Sequence, residues 1–534
     1  MEKIKIKSLV YTLALTLTFY AGCTDLDVSV ESEITPSNFP KTEEDFVAVA
    51  SAVYSSLSNK NNNGEAYWLT GELTTDAMIL TANGGRWYDA ARWKQLYTHT
   101  YDKDNAIVGK AWTWGFSVVS TCNRVLQLLN EAPESDEKNS AFAEIKTVRA
   151  YALWTMMDLF GNIPLVTTFG ETANGRATRT EVFNFIEKEV LEAVPDLKSA
   201  VNAATYGRPT KWMAYAFLAK LYLNAPVYTG QNKYNEVVTM CDKVITEANT
   251  NGSFALSSDY LKMFDIDNGP QIKDFIFAIP YDCNNIQGQY FARWWLHPLL
   301  QNKYSLPYAP SGSVRTIPEF YAKFNDPTDV RNKVWLTGKQ YNADGTPILI
   351  TTTNKGYDVR YSGPNPNEVI TVQLEFTPAI DFRDLAKFDT GDDVAGKQVG
   401  YRLNKFLPDK FSLTRDQSND VPIFRYADVL LMKAEAILRG ASPTMGHTAL
   451  SLVNMVRARA KATPFTSVNL ESLLDERARE FVGENWRRND LIRFGKFESP
   501  WPFKTDSDPN HRIFPIPSTE IALNPSLGQN PGYN

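Results

Sequence analysis

Two short aromatic runs carry the side chains best suited to chemistry in this sequence: Asn83-Gly84-Gly85-Arg86-Trp87-Tyr88 and Tyr290-Phe291-Ala292-Arg293-Trp294-Trp295. Indole and phenol rings beside guanidinium and amide groups complement a sugar ring, which has a flat C–H face and an equator of hydroxyls. Neither run shows a helical period that would give a large aromatic a face to pack on, so both are expected on loops. The candidate ligand-binding residues are therefore Asn83, Arg86, Trp87 and Tyr88 from the first run and Tyr290, Arg293, Trp294 and Trp295 from the second, with Trp87 foremost. Trp294 and Trp295 are adjacent, so an extended segment would turn them to opposite sides and place one in the core. Trp112, Trp114, Trp154, Trp212 and Trp486 fall on helical patterns and are assigned to the core.

Signals for catalysis are sparse. The four histidines, His99, His297, His447 and His511, are scattered, with no pair at metal-ligand spacing on a helix. No nucleophile elbow and no phosphate-cradling glycine loop occurs. No cofactor is expected, and no metal site is assigned, since the many Asp and Asn side chains show no EF-hand pattern. The expected role is binding without catalysis. A glycoside hydrolase stays open as an alternative, because two carboxylates need no local motif and the chain has 61 Asp and Glu residues to supply them. A third reading is a scaffold that binds peptide or protein.

The segments that must position these residues differ along the chain. Lys3, Lys5 and Lys7 precede an apolar run to Phe19 and then Ala21-Gly22-Cys23. This reads as a lipoprotein signal peptide over 1–22, with Cys23 as the acylated first residue of the mature chain. Residues 23–40 read as a tether. The net charge is −6, and removing 1–22 takes away three lysines and one glutamate, so nucleic acid is not an expected partner. The remaining cysteines, Cys122, Cys241 and Cys283, are odd in number and suggest buried thiols rather than a disulfide framework.

Apolar periodicity predicts helices near 43–57, 105–131, 141–160, 180–201, 209–225 and 234–249. From about 250 to 420 Gly, Pro, Asn and Asp accumulate and only short strand-like runs occur, as at Phe275–Ile279 and Val369–Leu374. Helices return at 423–438, 446–461 and 469–485. The fold class is mainly α, with a helical part at 41–250, a loop-rich and partly β part at 251–420, and C-terminal helices and tail at 421–534.

Four blocks of the sequence, in order, resemble the SusD/RagB family: EIKTVRAYALWTMMDLFGNIP (Glu144–Pro164), RYADVLLMKAEA (Arg425–Ala436), ERAREFVGENWRRNDLIRFGK (Glu476–Lys496) and FPIPSTEIALNPSLGQNPGYN (Phe514–Asn534). The resemblance implies a helical scaffold with tetratricopeptide-like helix pairs and a variable loop-rich part that carries the ligand site. It also implies an outer-membrane, lipid-anchored, surface-exposed protein that captures oligosaccharide and passes it to a SusC-like TonB-dependent transporter. A ligand-contacting loop is implied near Gly71–Asp76. Read by chemistry alone, Glu476, Glu480 and Glu484 with the arginines around them are ion pairs that tie helices together.

Overall fold

The structure, a computed structural model, describes residues 39–59, 62–285 and 288–533. The signal segment 1–22, Cys23 and most of the tether lie outside the described residues. The longer helices are α1 (Glu43–Leu57), α2 (Ala106–Glu131), α3 (Asp136–Phe160), α4 (Arg179–Ala193), α5 (Lys211–Leu223) and α6 (Tyr234–Asn251), followed after the loop-rich part by α7 (Tyr426–Leu438), α8 (Ala449–Arg459), α9 (Leu470–Phe481) and α10 (Arg487–Arg493). They start where the sequence supplies caps. Thr42 Oγ1 accepts from the Asp45 N–H at 3.2 Å, and Asp45 Oδ2 accepts from the Thr42 N–H at 3.0 Å. This reciprocal box opens α1, and Thr178 with Glu181 opens α4 in the same way. Helices consecutive in sequence pack side by side: α1 on α2, α2 on α3, α3 on α4, α5 on α6, α7 on α8.

Short antiparallel pairs complete this helical scaffold. The strands used below are β1 (Ile79–Leu80), β2 (Phe275–Ile279), β3 (Val314–Arg315), β4 (Trp335–Leu336), β5 (Arg402–Leu403) and β6 (Val421–Arg425). β2 pairs with β6, Ile279 opposite Val421 and Phe275 opposite Arg425, so the chain leaves for the loop-rich part and returns from it at one place. β1 pairs with β3 and β4 with β5.

Several boundaries differ from the periodicity. The helix expected at 180–201 ends at Ala193, because Pro195 has no N–H to continue the ladder. The start expected at 423 is strand β6. Pro422 favours extended backbone before it, and α7 begins only where Asp274 receives the Tyr426 and Ala427 N–H groups at 2.7 and 3.0 Å. The helix expected over 469–485 ends at Phe481, and Gly483 and Asn485, whose φ values are 77° and 67°, turn the chain before the separate helix α10. One apolar core runs from Phe46 to Leu527 and includes residues of the loop-rich part such as Trp294, Phe376 and Leu403.

The glutamates of α9 and the turn after it form a buried ionic frame. Glu480 meets Arg331 at 3.1 Å and Arg425 at 2.8 Å, and it also meets Arg459. Glu484 meets Arg425 at 2.7 Å, and Glu476 meets Arg331 at 2.7 Å. α9 is thereby fastened to β6, α8 and the turn at Val330–Val334.

Candidate functional site

The first aromatic run follows β1 as a tight turn. Asn83 and Arg86 exchange backbone hydrogen bonds at 2.9 and 3.3 Å, and Gly84 and Gly85 supply φ values of 60° and 86° between them. A Cβ at Gly84 would stand 2.6 Å from that of Asp392. The Gly84 and Gly85 N–H groups donate to the Asp389 carboxylate at 2.8 and 2.7 Å, which pins the turn to the loop-rich part. Beyond the turn, Trp87, Asp89, Ala90 and Ala91 all have positive φ. A chain that doubles back this sharply presents the half-buried Trp87 indole at the rim of an open cleft.

The second run meets the first there. Trp294 lies edge-on to Trp87 at 5.6 Å and to Trp93 at 6.0 Å, so it backs the Trp87 ring. The expectation that Trp294 and Trp295 lie on an extended loop with one ring outward is corrected: Phe291–Trp295 is a short helix and both indoles are buried, at 2% and 1% exposure. Gly312 packs its backbone onto this helix, donating its N–H to Leu296 O at 2.8 Å, with no room there for a Cβ. Neither ring can serve as an exposed platform.

Asn83 is placed at the cleft with its amide already engaged. Its Nδ2 donates to Ser313 Oγ at 2.7 Å, and its Oδ1 accepts from Arg315 at 2.6 Å and Thr390 at 3.1 Å. Arg86 is exposed at the rim, and Tyr88 is half-buried just beyond Trp87. Arg293 lies over the Tyr290 and Trp294 rings at 5.4 and 5.5 Å.

Sequence reasoning missed the floor of the cleft. Arg315 on β3 and Arg402 on β5 come together because Thr316 donates its N–H to Tyr401 O at 3.1 Å. Each is 1% exposed. Arg315 donates to Gly396 O, Val399 O and Asn83 Oδ1, and Arg402 to Val399 O, Gly400 O and Lys397 O. All of these acceptors are uncharged. Burial pulls Arg402 down to about 9, and burial together with Arg402 pulls Arg315 down, Asp389 opposing. Arginine is not deprotonated in proteins, so both are guanidinium cations. The signal available in the sequence was slight: arginine inside the short runs Ser313–Ile317 and Gly400–Asn404, where a buried charge needs an explanation. His297 completes the floor. Its Nδ1 accepts from the Leu299 N–H at 3.2 Å, and burial with Arg402, Arg315 and Lys397 keeps it neutral, so Nε2 carries the hydrogen.

The Gly71–Asp76 stretch, which precedes the first aromatic run, is tied into the scaffold. Glu72 is fully buried with Oε1 on the Asn485 N–H at 2.6 Å, and Asp76 takes Arg487 in a fork of 2.7 and 2.6 Å. Trp112, Trp114, Trp154 and Trp486 are buried; Trp212 is only partly so and donates to Ser199 O at 2.7 Å. Cys122 and Cys241 are buried free thiols, and Cys283 is a half-buried one. Among the described residues no group of three His, Cys, Asp or Glu side chains is placed to hold a metal ion, and no helix is long and apolar enough to cross a membrane. A second, wider depression of about 580 Å³ is lined by Tyr206, Tyr281, Phe411, Asp282 and Asp420.

Two family models cover nearly all of the chain after the signal segment. The SusD family model matches residues 225–533, and one described as starch-binding associating with outer membrane matches 26–223. The starch-binding protein SusD of Bacteroides thetaiotaomicron is 29% identical over 73% of this chain and 72% of its own length. SusD-like protein P38 of Formosa agariphila is 23% identical over the full length of both. Among solved structures, surface glycan-binding protein A from Bacteroides thetaiotaomicron in complex with laminarihexaose superposes with a TM-score of 0.69 at 19% identity, over 92% of this chain and 100% of that one.

Proposed function

The chain belongs to the SusD family, and on that premise we propose that it is a glycan-binding protein of the outer-membrane surface that captures oligosaccharide without cleaving it. The observation that carries the reading is the half-buried Trp87 indole, held at the rim of a polar-floored cleft by a backing tryptophan and a pinned turn. Stacking of a sugar ring on such a face removes its C–H surface and the indole face from water, at about 25 cal/mol per Å² of apolar area. An affinity built from a few such contacts is modest and suits a protein that must release its cargo. Capture is favoured over hydrolysis because the cleft lacks a carboxylate pair: Asp392 is the one carboxylate among its lining residues, and Lys397 engages it at 2.7 Å. In this reading Cys23 carries the lipid and the segment to about residue 40 is the tether. The 41–250 and 421–534 helices form the scaffold, the 251–420 part supplies the site, and a SusC-like TonB-dependent transporter receives the ligand.

The test is calorimetric titration of a soluble form beginning after Cys23 with malto-, laminari- and xylo-oligosaccharides, with reducing ends assayed in the same samples. Saturable binding that Trp87→Ala abolishes, with no new reducing ends, is the expected outcome. Release of reducing ends overturns capture. Binding that survives Trp87→Ala but fails in Phe411→Ala moves the site to the wider depression.

A further inference from the structure

Among the described residues the two arginines under the cleft have no carboxylate in ion-pair contact, although the Asp389 charge acts on Arg315 from further off, and this bears on what the cleft selects. A guanidinium has five N–H donors. Arg315 and Arg402 each make three hydrogen bonds, all to uncharged oxygens, and the Nε of each is buried without a partner. Among the described residues no carboxylate lies within ion-pair distance of either. The acids nearby are committed elsewhere: Asp389 accepts from the Gly84, Gly85 and Gly391 N–H groups, and Asp392 pairs with Lys397. The exposed Arg86 adds a further positive charge at the rim. Among the described residues most other buried arginines are treated differently, Arg488 excepted, which is 2% exposed and donates only to a backbone carbonyl, Arg512 O. Arg331, Arg425, Arg477 and Arg493 each meet two or three carboxylates. A buried cation left unpaired is costly, and an entering anion relieves that cost.

We propose that this cleft selects an anionic glycan, with a sugar ring on Trp87 and a carboxylate or sulfate ester above Arg315 and Arg402. The inference rests on the glycan reading of the same site and names its substrate class. Buried guanidiniums fixed by backbone carbonyls are preorganised for planar oxyanions, and a neutral sugar leaves their charge uncompensated.

Tetragalacturonate against its methyl ester, and a sulfated galactan tetrasaccharide against its desulfated form, separate charge from sugar and uronate from sulfate. In one of these pairs the acid is expected to bind about tenfold tighter or more, the value of one charge-assisted contact. That preference shrinks between ionic strengths of about 0.01 M and about 1 M. Arg402→Met removes the preference without lowering the melting temperature, because it deletes an uncompensated buried charge; Lys188→Ala, an exposed change on α4, leaves the preference in place. Equal binding of acid and neutral forms in both pairs overturns the anionic assignment and leaves glycan capture standing. Binding of inorganic sulfate with no oligosaccharide bound keeps the anion site and overturns the glycan reading. An Arg402→Met protein that melts earlier and retains the preference makes Arg402 a structural residue and overturns the assignment.

Discussion

Residue by residue, the site separates side chains that meet a ligand from side chains that hold them in place. Trp87 does the first and Trp294 the second, so their truncations should behave differently. Trp87→Ala removes a half-exposed ring and is expected to abolish binding with little change in melting temperature. Trp294→Ala opens a cavity beneath it and is expected to cost about 3–5 kcal/mol of stability as well. Equal stability losses would show that Trp87 is itself part of the core. Glu72 shows the same logic at a fully buried carboxyl. Burial raises its carboxyl from 4.5 to about 7, against the Asn485 N–H and Lys405, which lower it. A raised folded-state value means that its contribution is full below about pH 4.5 and is lost as pH rises toward 7. Glu72→Gln imitates the protonated form, so it is expected to match the wild type near pH 4.5 and to be more stable above about pH 7, by up to about 3 kcal/mol. Thermal melts across that range decide it, and a variant less stable at every pH would show that the carboxylate itself is required.

At the scale of elements, the segment that follows the Asn83–Arg86 turn is the strained one. Trp87, Asp89, Ala90 and Ala91 occupy left-handed backbone with φ between 46° and 64°. Alanine there costs about 1–2 kcal/mol per residue, and such strain persists where neighbours hold it, here the Asp389 carboxylate and the Asp89 carboxylate on the Trp93 indole N–H at 2.8 Å. Ala90→Gly with Ala91→Gly is expected to raise the melting temperature slightly and to weaken glycan binding, because the ring of Trp87 loses its fixed presentation. Concurrent loss of stability and binding would contradict stored strain. The helices of the scaffold were legible because each combines a cap with a long 3.6-residue period, as in Thr42 before α1. The glycine pair in Asn83–Arg86 was legible as a turn for a similar local reason. The short helix at Phe291–Trp295 was not, since five residues carry no period and the rings that bury it, Trp68, Trp87, Trp93 and Phe406, lie far away in the chain. Arg315 and Arg402 were invisible for the same reason. What marks them is a missing partner, and a missing partner is a property of three-dimensional neighbours.

For the whole molecule, the question is whether scaffold and loop-rich part are one cooperative body. A single apolar core joins them, β2 and β6 close the excursion at its base, and Arg425 at the end of β6 enters the ionic frame of α9. Glu480 is the hub of that frame. Burial pushes its carboxyl up, but Arg459, Arg425 and Arg331 together outweigh burial and hold it below the usual range. Asp490 is buried in the same way and is held low by Arg477, Arg493 and Lys220. A depressed folded-state value gives stability that is present above the unfolded value, 4.5 for the glutamate and 3.8 for the aspartate, and is lost as pH falls below it. The melting temperature is therefore expected to fall steeply below about pH 4, opposite in sign to the shallow loss from Glu72 above it. Glu480→Gln breaks a buried pair whose partners stay charged, at a cost of about 3–5 kcal/mol. Because the frame belongs to both parts, that loss is expected to shift one calorimetric transition as a whole. Two transitions, with only one displaced by Glu480→Gln, would mean that the loop-rich part unfolds by itself and that its cleft can reshape while the scaffold stays intact.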